Sequence, residues 1–258
     1  MNALSREDAH RMLNKVPEVT LFFWIIKIMA TTVGETAADF LNVNLNFGLT
    51  GTSAVMGGLL LVALLAQLRS RKYIPSIYWV AVVLISVFGT LVTDNMVDNF
   101  GVSLNTTTAL FSVALLATFG LWYASEKTLS IHTIFTTRRE LFYWAAILFT
   151  FALGTAAGDL AAEGLQLGYT VSALMFGAMI GAVTIGYYVL RLNAVPAFWI
   201  AYILTRPFGA SFGDLLSQPV ANGGLGLGTV VTSAIFLLTI LGLVAYLTAT
   251  ERRVAGGA

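Results

Sequence analysis

Four times along the chain a tryptophan is followed ten residues later by a glycine and fifteen residues later by an aspartate. The copies are Trp24/Gly34/Asp39, Trp79/Gly89/Asp94, Trp144/Gly154/Asp159 and Trp199/Gly209/Asp214. No gap interrupts any copy, and successive tryptophans stand 55, 65 and 55 residues apart. A spacing of this kind means a repeated supersecondary unit and takes precedence over the reading of any single segment. Each copy lies in an apolar run long enough to cross a bilayer, which takes roughly 20 helical residues.

The composition agrees. Of 258 residues 57% are hydrophobic and 10% charged, with a mean hydropathy of +0.82. Soluble domains carry about 25% charged residues. The sequence therefore predicts an all-α integral membrane protein. Eight spans are expected, near 20–42, 48–68, 76–98, 104–124, 141–163, 168–190, 196–217 and 228–249. A β-barrel would show short alternating segments in place of these continuous runs. Glu7 and Asp8 stand where a cleavable signal peptide would be basic, so the first apolar run is expected to remain as a span.

Basic residues set the expected orientation. Arg69, Arg71 and Lys72 follow the second span, Lys127, Arg138 and Arg139 the fourth, Arg191 the sixth, and Arg252 and Arg253 the eighth. The other connections hold no Lys or Arg. By the positive-inside rule both termini are cytoplasmic, in a bacterial inner membrane. The expected division is a tail over 1–18, a first half over 19–125, a linker over 126–140, a second half over 141–250 and a tail over 251–258. In the first tail, Leu4, Met12, Leu13 and Val16 would form one face of a short surface helix, or the segment is a loose tail. Pro17 suits a first helical turn.

Each even span echoes a second pattern near its start: Ser53-Ala54, Thr108-Ala109, Ser172-Ala173 and Ser233-Ala234. The unit is thus a two-helix hairpin, four in tandem, all parallel because each starts on the same side. Tandem Trp–Gly–Asp hairpins, with VGETAADFLNVN in the first copy and RPFGASFGDLLSQP in the last, resemble a bacterial family of multi-pass membrane proteins built from a fourfold repeat of unknown function. The resemblance runs from Val16 to Thr250. It implies the architecture and carries no activity.

Residues one turn apart share a helix face. The aspartates then stand in polar stripes: Glu35, Asp39 and Asn42; Thr90, Asp94 and Asp98; Thr155, Asp159 and Glu163; Ala210, Asp214 and Gln218. Charge inside a bilayer turns toward protein or water, so the stripes should face a common axis or paired clefts, with the even helices outside. Asp98 and Glu163 lie nearer the exit. Lys27 is placed to snorkel to the inner face. Arg206 cannot easily do so and should pair with a carboxylate of another helix, Glu35 being one candidate; Asp214 is about 12 Å away by helical rise. Gly34, Gly89, Gly154 and Gly209 mark close helix approach or hinges, and Pro207 should kink its span. Gly177 and Gly181 form a GxxxG pair. The tryptophans suit an aromatic belt at the interface.

The leading expectation is a transporter of a small cation of the Na, Mg, Ca or Mn class, or a proton-coupled carrier. Glu35, Asp39, Asp94, Asp159 and Asp214 would be the ion-binding set, with Asn42, Thr90, Asp98, Thr155, Glu163, Arg206 and Lys27 accessory. Carboxylates and hydroxyls suit hard cations, and acids sharing one cavity cannot all ionise cheaply. Which metal, if any, stays open. Two alternatives remain: a carrier of a small organic solute held at Arg206, and a non-transport membrane scaffold. There is no cysteine, no Walker loop, no nucleophile elbow, and no metal-ligand spacing at His10 or His132. No enzyme, no cofactor and no ATP-driven pump are therefore expected. Basic residues are too few for nucleic acid. The expected partners are the bilayer and a small ion or solute, with a homo-oligomer left open.

Overall fold

The computed structural model describes residues 14–44 and 48–256. Among the described residues the protein is all-α, with eight long helices. They are α1 (Leu21–Asp39), α2 (Gly48–Arg69), α3 (Pro75–Asp94), α4 (Leu104–Glu126), α5 (Thr137–Asp159), α6 (Gly168–Tyr188), α7 (Ala194–Ser217) and α8 (Thr229–Gly256). All but α7 are long and apolar enough to cross a membrane. The exception has 24 residues and holds Arg206, Pro207, Ser211 and Asp214, all buried. These lower its hydropathy without exposing polar groups to lipid.

Local chemistry explains the helix starts. The side chains of Thr20, Ser103, Thr136 and Asn193 accept first-turn backbone N–H groups, which otherwise lack partners. Pro75 opens α3 from its first turn. Pro17 does not play that part, because α1 begins only at Leu21. Residues 14–18 take no helix, and Val16 is buried. The expected surface helix therefore fails at Val16; Leu4, Met12 and Leu13 lie outside the described residues, as does His10.

The odd helices form a closed inner ring in which α1 packs on α3, α3 on α5, α5 on α7, and α7 on α1. The repeat glycines make the seams. A Cβ on Gly34 would overlap the Ser86 side chain, one on Gly89 would meet Phe151, one on Gly154 the Arg206 stem, and one on Gly209 Thr31. Each glycine thus admits the next inner helix, and the fourth returns to the first. A Cβ on Gly177 would meet the Phe208 ring edge at 3.3 Å, but one on Gly181 would meet nothing within 4 Å. The expected GxxxG contact is therefore made by one glycine.

The tryptophans follow the same cyclic rule. Ring centroids are 5.7 Å apart for Phe23–Trp79, 5.5 Å for Tyr78–Trp144, 6.2 Å for Tyr143–Trp199 and 5.7 Å for Phe198–Trp24. In every case the residue before one tryptophan packs on the tryptophan of the adjacent repeat. Trp79, Trp144 and Trp199 are buried and Trp24 half-buried. This corrects the expectation of an interfacial belt: the indoles close the ring from inside, where aromatic area contributes to packing.

The outer helices give a second departure. The two helices of one hairpin touch chiefly at their connection. Each outer helix instead leans on the inner helix of the next repeat, α2 on α3, α4 on α5, α6 on α7, and α8 on α1. The echoed serines supply two of the ties, Ser53 Oγ to Asn95 at 2.8 Å and Ser233 Oγ to Thr36 at 2.7 Å. In α1, α3 and α5, 61% of the apolar window is buried, against 28% or less in the outer helices. The deeper members of three stripes, Glu35, Thr90 and Thr155, accordingly meet inside the ring at Arg206, whereas Asp98 and Glu163 are exposed.

Candidate functional site

Three inner helices end alike. Immediately after Asp39, Asp94 and Asp159 the α-helix widens into a π-turn, over Phe40–Asn44, Asn95–Asn99 and Leu160–Gly164. Such turns are rare and recur at functional sites. The fourth copy breaks the pattern. After Asp214 the helix stays α to Ser217, and Gln218 is extended before Pro219, because a residue preceding proline is steered out of the α region. The loop beyond folds back: the N–H groups of Leu225, Leu227 and Gly228 donate to the carbonyls of Leu215, Leu216 and Ser217, satisfying the end of α7.

One turn below the aspartates lie the equivalent positions Glu35, Thr90, Thr155 and Ala210. Arg206, fully buried, reaches into this layer from α7. One terminal nitrogen donates to Glu35 Oε2 at 2.8 Å, to Thr155 Oγ1 at 2.7 Å, and to Thr90 Oγ1. The other donates to the Thr31 carbonyl at 3.1 Å. The expected Arg206–Glu35 pair is therefore present. Helix α7 runs unbroken through Pro207, and the Arg206 stem lies so close to Gly154 that a Cβ there would overlap it, which fixes where the guanidinium arrives.

Above this layer, carboxylate oxygens of Glu35, Asp159 and Asp214 all lie within 4.8 Å of one another. Three such points share a centre no more than about 2.8 Å from each, and a contraction of a few tenths of an ångström reaches the 2.3–2.6 Å of a calcium–oxygen bond. Asp214 is buried, while Asp159, Asp39 and Asp94 are half-buried. Glu35 lies within electrostatic reach of all four aspartates. The result is a cup of carboxylates at one end of the axis. Asn42 is half-buried in the first π-turn. Asp98 and Glu163 are exposed at the rim, and Glu163 accepts from the Tyr169 hydroxyl at 3.2 Å.

Below Arg206 the axis is filled. Lys27 does not snorkel, contrary to expectation. It is 1% exposed, and its Nζ sits 4.1 Å from the Phe151 ring centroid and 4.2 Å from that of Tyr202, with no hydrogen-bond partner among the described residues. The reason is rotational: Lys27 shares its face with Phe23, Ile26, Ala30 and Thr31, all buried in the ring. Two aromatic faces partly replace its hydration. Further down, the Tyr78 and Tyr143 hydroxyls are 2.5 Å apart. At the base, Lys15 pairs with Glu140 at 2.6 Å, Gln67 donates to both Glu140 and the Lys15 carbonyl, and Lys15 N–H donates to Ile134.

The sequence reading missed three of these features. The Tyr78–Tyr143 lock had a signal, the aromatic doublets Phe23-Trp24, Tyr78-Trp79, Tyr143-Trp144 and Phe198-Trp199. The π-turns had none. The Lys15–Glu140 pair, 125 residues apart, had none either.

A closed ring of buried helices with polar residues toward its axis, inside a coat of lipid-facing helices, defines a multi-pass membrane protein in contact with the bilayer, assembled from four structural repeats. The chain belongs to the family described as Repeat of Unknown Function (DUF347), which it matches over residues 22–73, 77–128, 142–193 and 197–253. No curated protein and no solved structure matches it.

Proposed function

We propose that this protein is a transporter of a small hard cation, or a proton-coupled carrier of one, and not an enzyme. One observation carries the reading: carboxylates of Glu35, Asp159 and Asp214, from three inner helices, gather within 4.8 Å inside a membrane protein. Intramembrane acids are costly and mark ion or proton pathways by default. Oxygen donors suit Na⁺, Mg²⁺, Ca²⁺ or Mn²⁺. Asp39 and Asp94 extend the cup toward its mouth, and the Arg206 layer closes its floor. In this reading the cup faces away from the basic cytoplasmic side of a bacterial inner membrane.

The aspartates support the reading in a second way, since none of them ties a neighbouring helix through a hydrogen bond among the described residues. A carrier of an organic anion is less well supported, because both terminal nitrogens of Arg206 already have partners. The packed axis between Arg206 and the Tyr78–Tyr143 pair favours the second reading, a membrane scaffold. Flux in proteoliposomes across Na⁺, Mg²⁺, Ca²⁺ and Mn²⁺, at several pH values, decides between them. Transport altered in rate or pH dependence by Asp→Asn at Asp39, Asp94, Asp159 or Asp214 supports the carrier. Normal transport in all four folded variants defeats the assignment to these acids, and no flux of any ion leaves the scaffold.

A further inference from the structure

We propose that the oxygen cage around the Arg206 guanidinium is itself a binding site for a small monovalent cation, held in this state by the protein's own cation. Three oxygens from three helices converge on one nitrogen: Glu35 Oε2 on α1, Thr90 Oγ1 on α3 and Thr155 Oγ1 on α5. That nitrogen has two N–H bonds for three acceptors, while the second terminal nitrogen has one acceptor and Nε has none among the described residues. A guanidinium is a planar fork with five spread donors. Oxygens that crowd a single point match the coordination of a spherical hard cation better than they match a fork.

The hydroxyl protons agree with this. Thr90 donates to the Ser86 carbonyl at 3.3 Å and Thr155 to the Phe151 carbonyl at 3.2 Å, each four residues back in its own helix. Both hydroxyls therefore turn lone pairs toward the axis and can only accept there. The fourth position of the layer is Ala210. Its methyl cannot reach the axis, and Arg206, one turn below on the same helix, fills the space that it leaves.

Charge selects the class of ligand. The cage holds one carboxylate, Glu35, balanced by Arg206 at 2.8 Å. When the guanidinium leaves, one positive charge restores the balance of the cage's own oxygens, which selects a monovalent ligand, Na⁺ or K⁺, in the place of an N–H group; Asp159 and Asp214, within 4.8 Å of Glu35, belong to the cup above and add to the attraction. The cage shares Glu35 with the cup but stands whether or not the cup transports anything. A cation that descends from the cup would meet this layer next and would have to displace Arg206 to advance.

The test uses the purified full chain in detergent and its melting temperature in NaCl, KCl or N-methyl-D-glucamine chloride at equal ionic strength. Arg206→Ala is expected to show a saturable rise of at least about 4 °C in Na⁺ or K⁺, absent from the unsubstituted protein. Adding Thr90→Val and Thr155→Val to that variant removes the rise; adding Asp159→Asn and Asp214→Asn leaves it. The last arm separates the cage from the cup, because a failed cup leaves the cage response intact. Arg206→Met, which keeps the stem against Gly154, covers the case in which the alanine variant does not fold. No cation-specific rise in a folded variant overturns the proposal, as does a rise that survives loss of both hydroxyls. If neither variant folds in any of the salts, the proposal also falls, since a cation that can take the guanidinium's place must be able to replace it.

Discussion

Lys27 is the costliest single group on the axis, and Lys27→Met measures that cost. Its ammonium is 1% exposed, lacks a hydrogen-bond partner among the described residues and shares the axis with the positive Arg206. Taking such an ion out of water costs several kcal/mol even after relaxation. The two ring faces, of Phe151 and Tyr202, return about 2 kcal/mol each at best when desolvated. The two sums leave the charge near break-even or a few kcal/mol unfavourable. Methionine has a stem of similar length, a polarizable tip that contacts aromatic rings well, and no charge to bury. Lys27→Met is therefore expected to leave stability unchanged or to raise it by roughly 1–3 kcal/mol, a melting-temperature rise of about 2–10 °C for a chain of this size. Thermal unfolding in detergent reads it directly. A loss of more than about 2 kcal/mol would mean that the cation–π contacts outweigh burial, and the reasoning would be wrong. With the expected result, the charge beneath the cup adds nothing to stability, and flux measured on the same variant shows what it does for transport.

Two further perturbations test the ring. Gly154→Ala drives a Cβ into the Arg206 stem and is expected to cost about 1–3 kcal/mol by overpacking. Gly120→Ala on α4, with nothing within 4 Å, should be neutral or stabilise by up to about 1 kcal/mol; equal effects at the two sites would contradict the seam. Tyr78→Phe orphans the buried Tyr143 hydroxyl and should cost about 1–3 kcal/mol. Tyr78→Phe with Tyr143→Phe should recover most of that loss, and a fully additive double variant in equilibrium unfolding would show that the two hydroxyls are not coupled.

Much of the site was legible because the repeat fixes equivalent positions. Once Glu35, Thr90, Thr155 and Ala210 are seen to be one register of four copies, their meeting in one layer needs only a ring. The pairing of Arg206 with Glu35 followed from the cost of an unpaired charge in the bilayer. Lys27 went the other way. It lies close enough to the end of α1 to snorkel, and only the rotation of α1, set by its seams with α3 and α7, turns it inward. The tryptophans failed for the same reason: near a helix end an aromatic reads as interfacial until the neighbouring helix that covers it is known. The π-turns, over Phe40–Asn44, Asn95–Asn99 and Leu160–Gly164, share no local residue pattern that would mark them.

By itself the sequence determined a membrane protein of four tandem repeats, its eight helices, the polar stripes and the need of Arg206 for a carboxylate. These follow from hydropathy, capping and helical period, all properties of neighbouring residues. The tertiary structure decided the rest: closure of the ring by α7 on α1, the outer helices resting on the next repeat, Lys27 between two aromatic faces, and the gathering of Glu35, Asp159 and Asp214. Those depend on helix rotation and on contacts between residues distant in the chain, from 42 positions for Ser53 and Asn95 to 197 for Thr36 and Ser233. Four copies of one pattern specify what each helix presents and leave open which copy it meets.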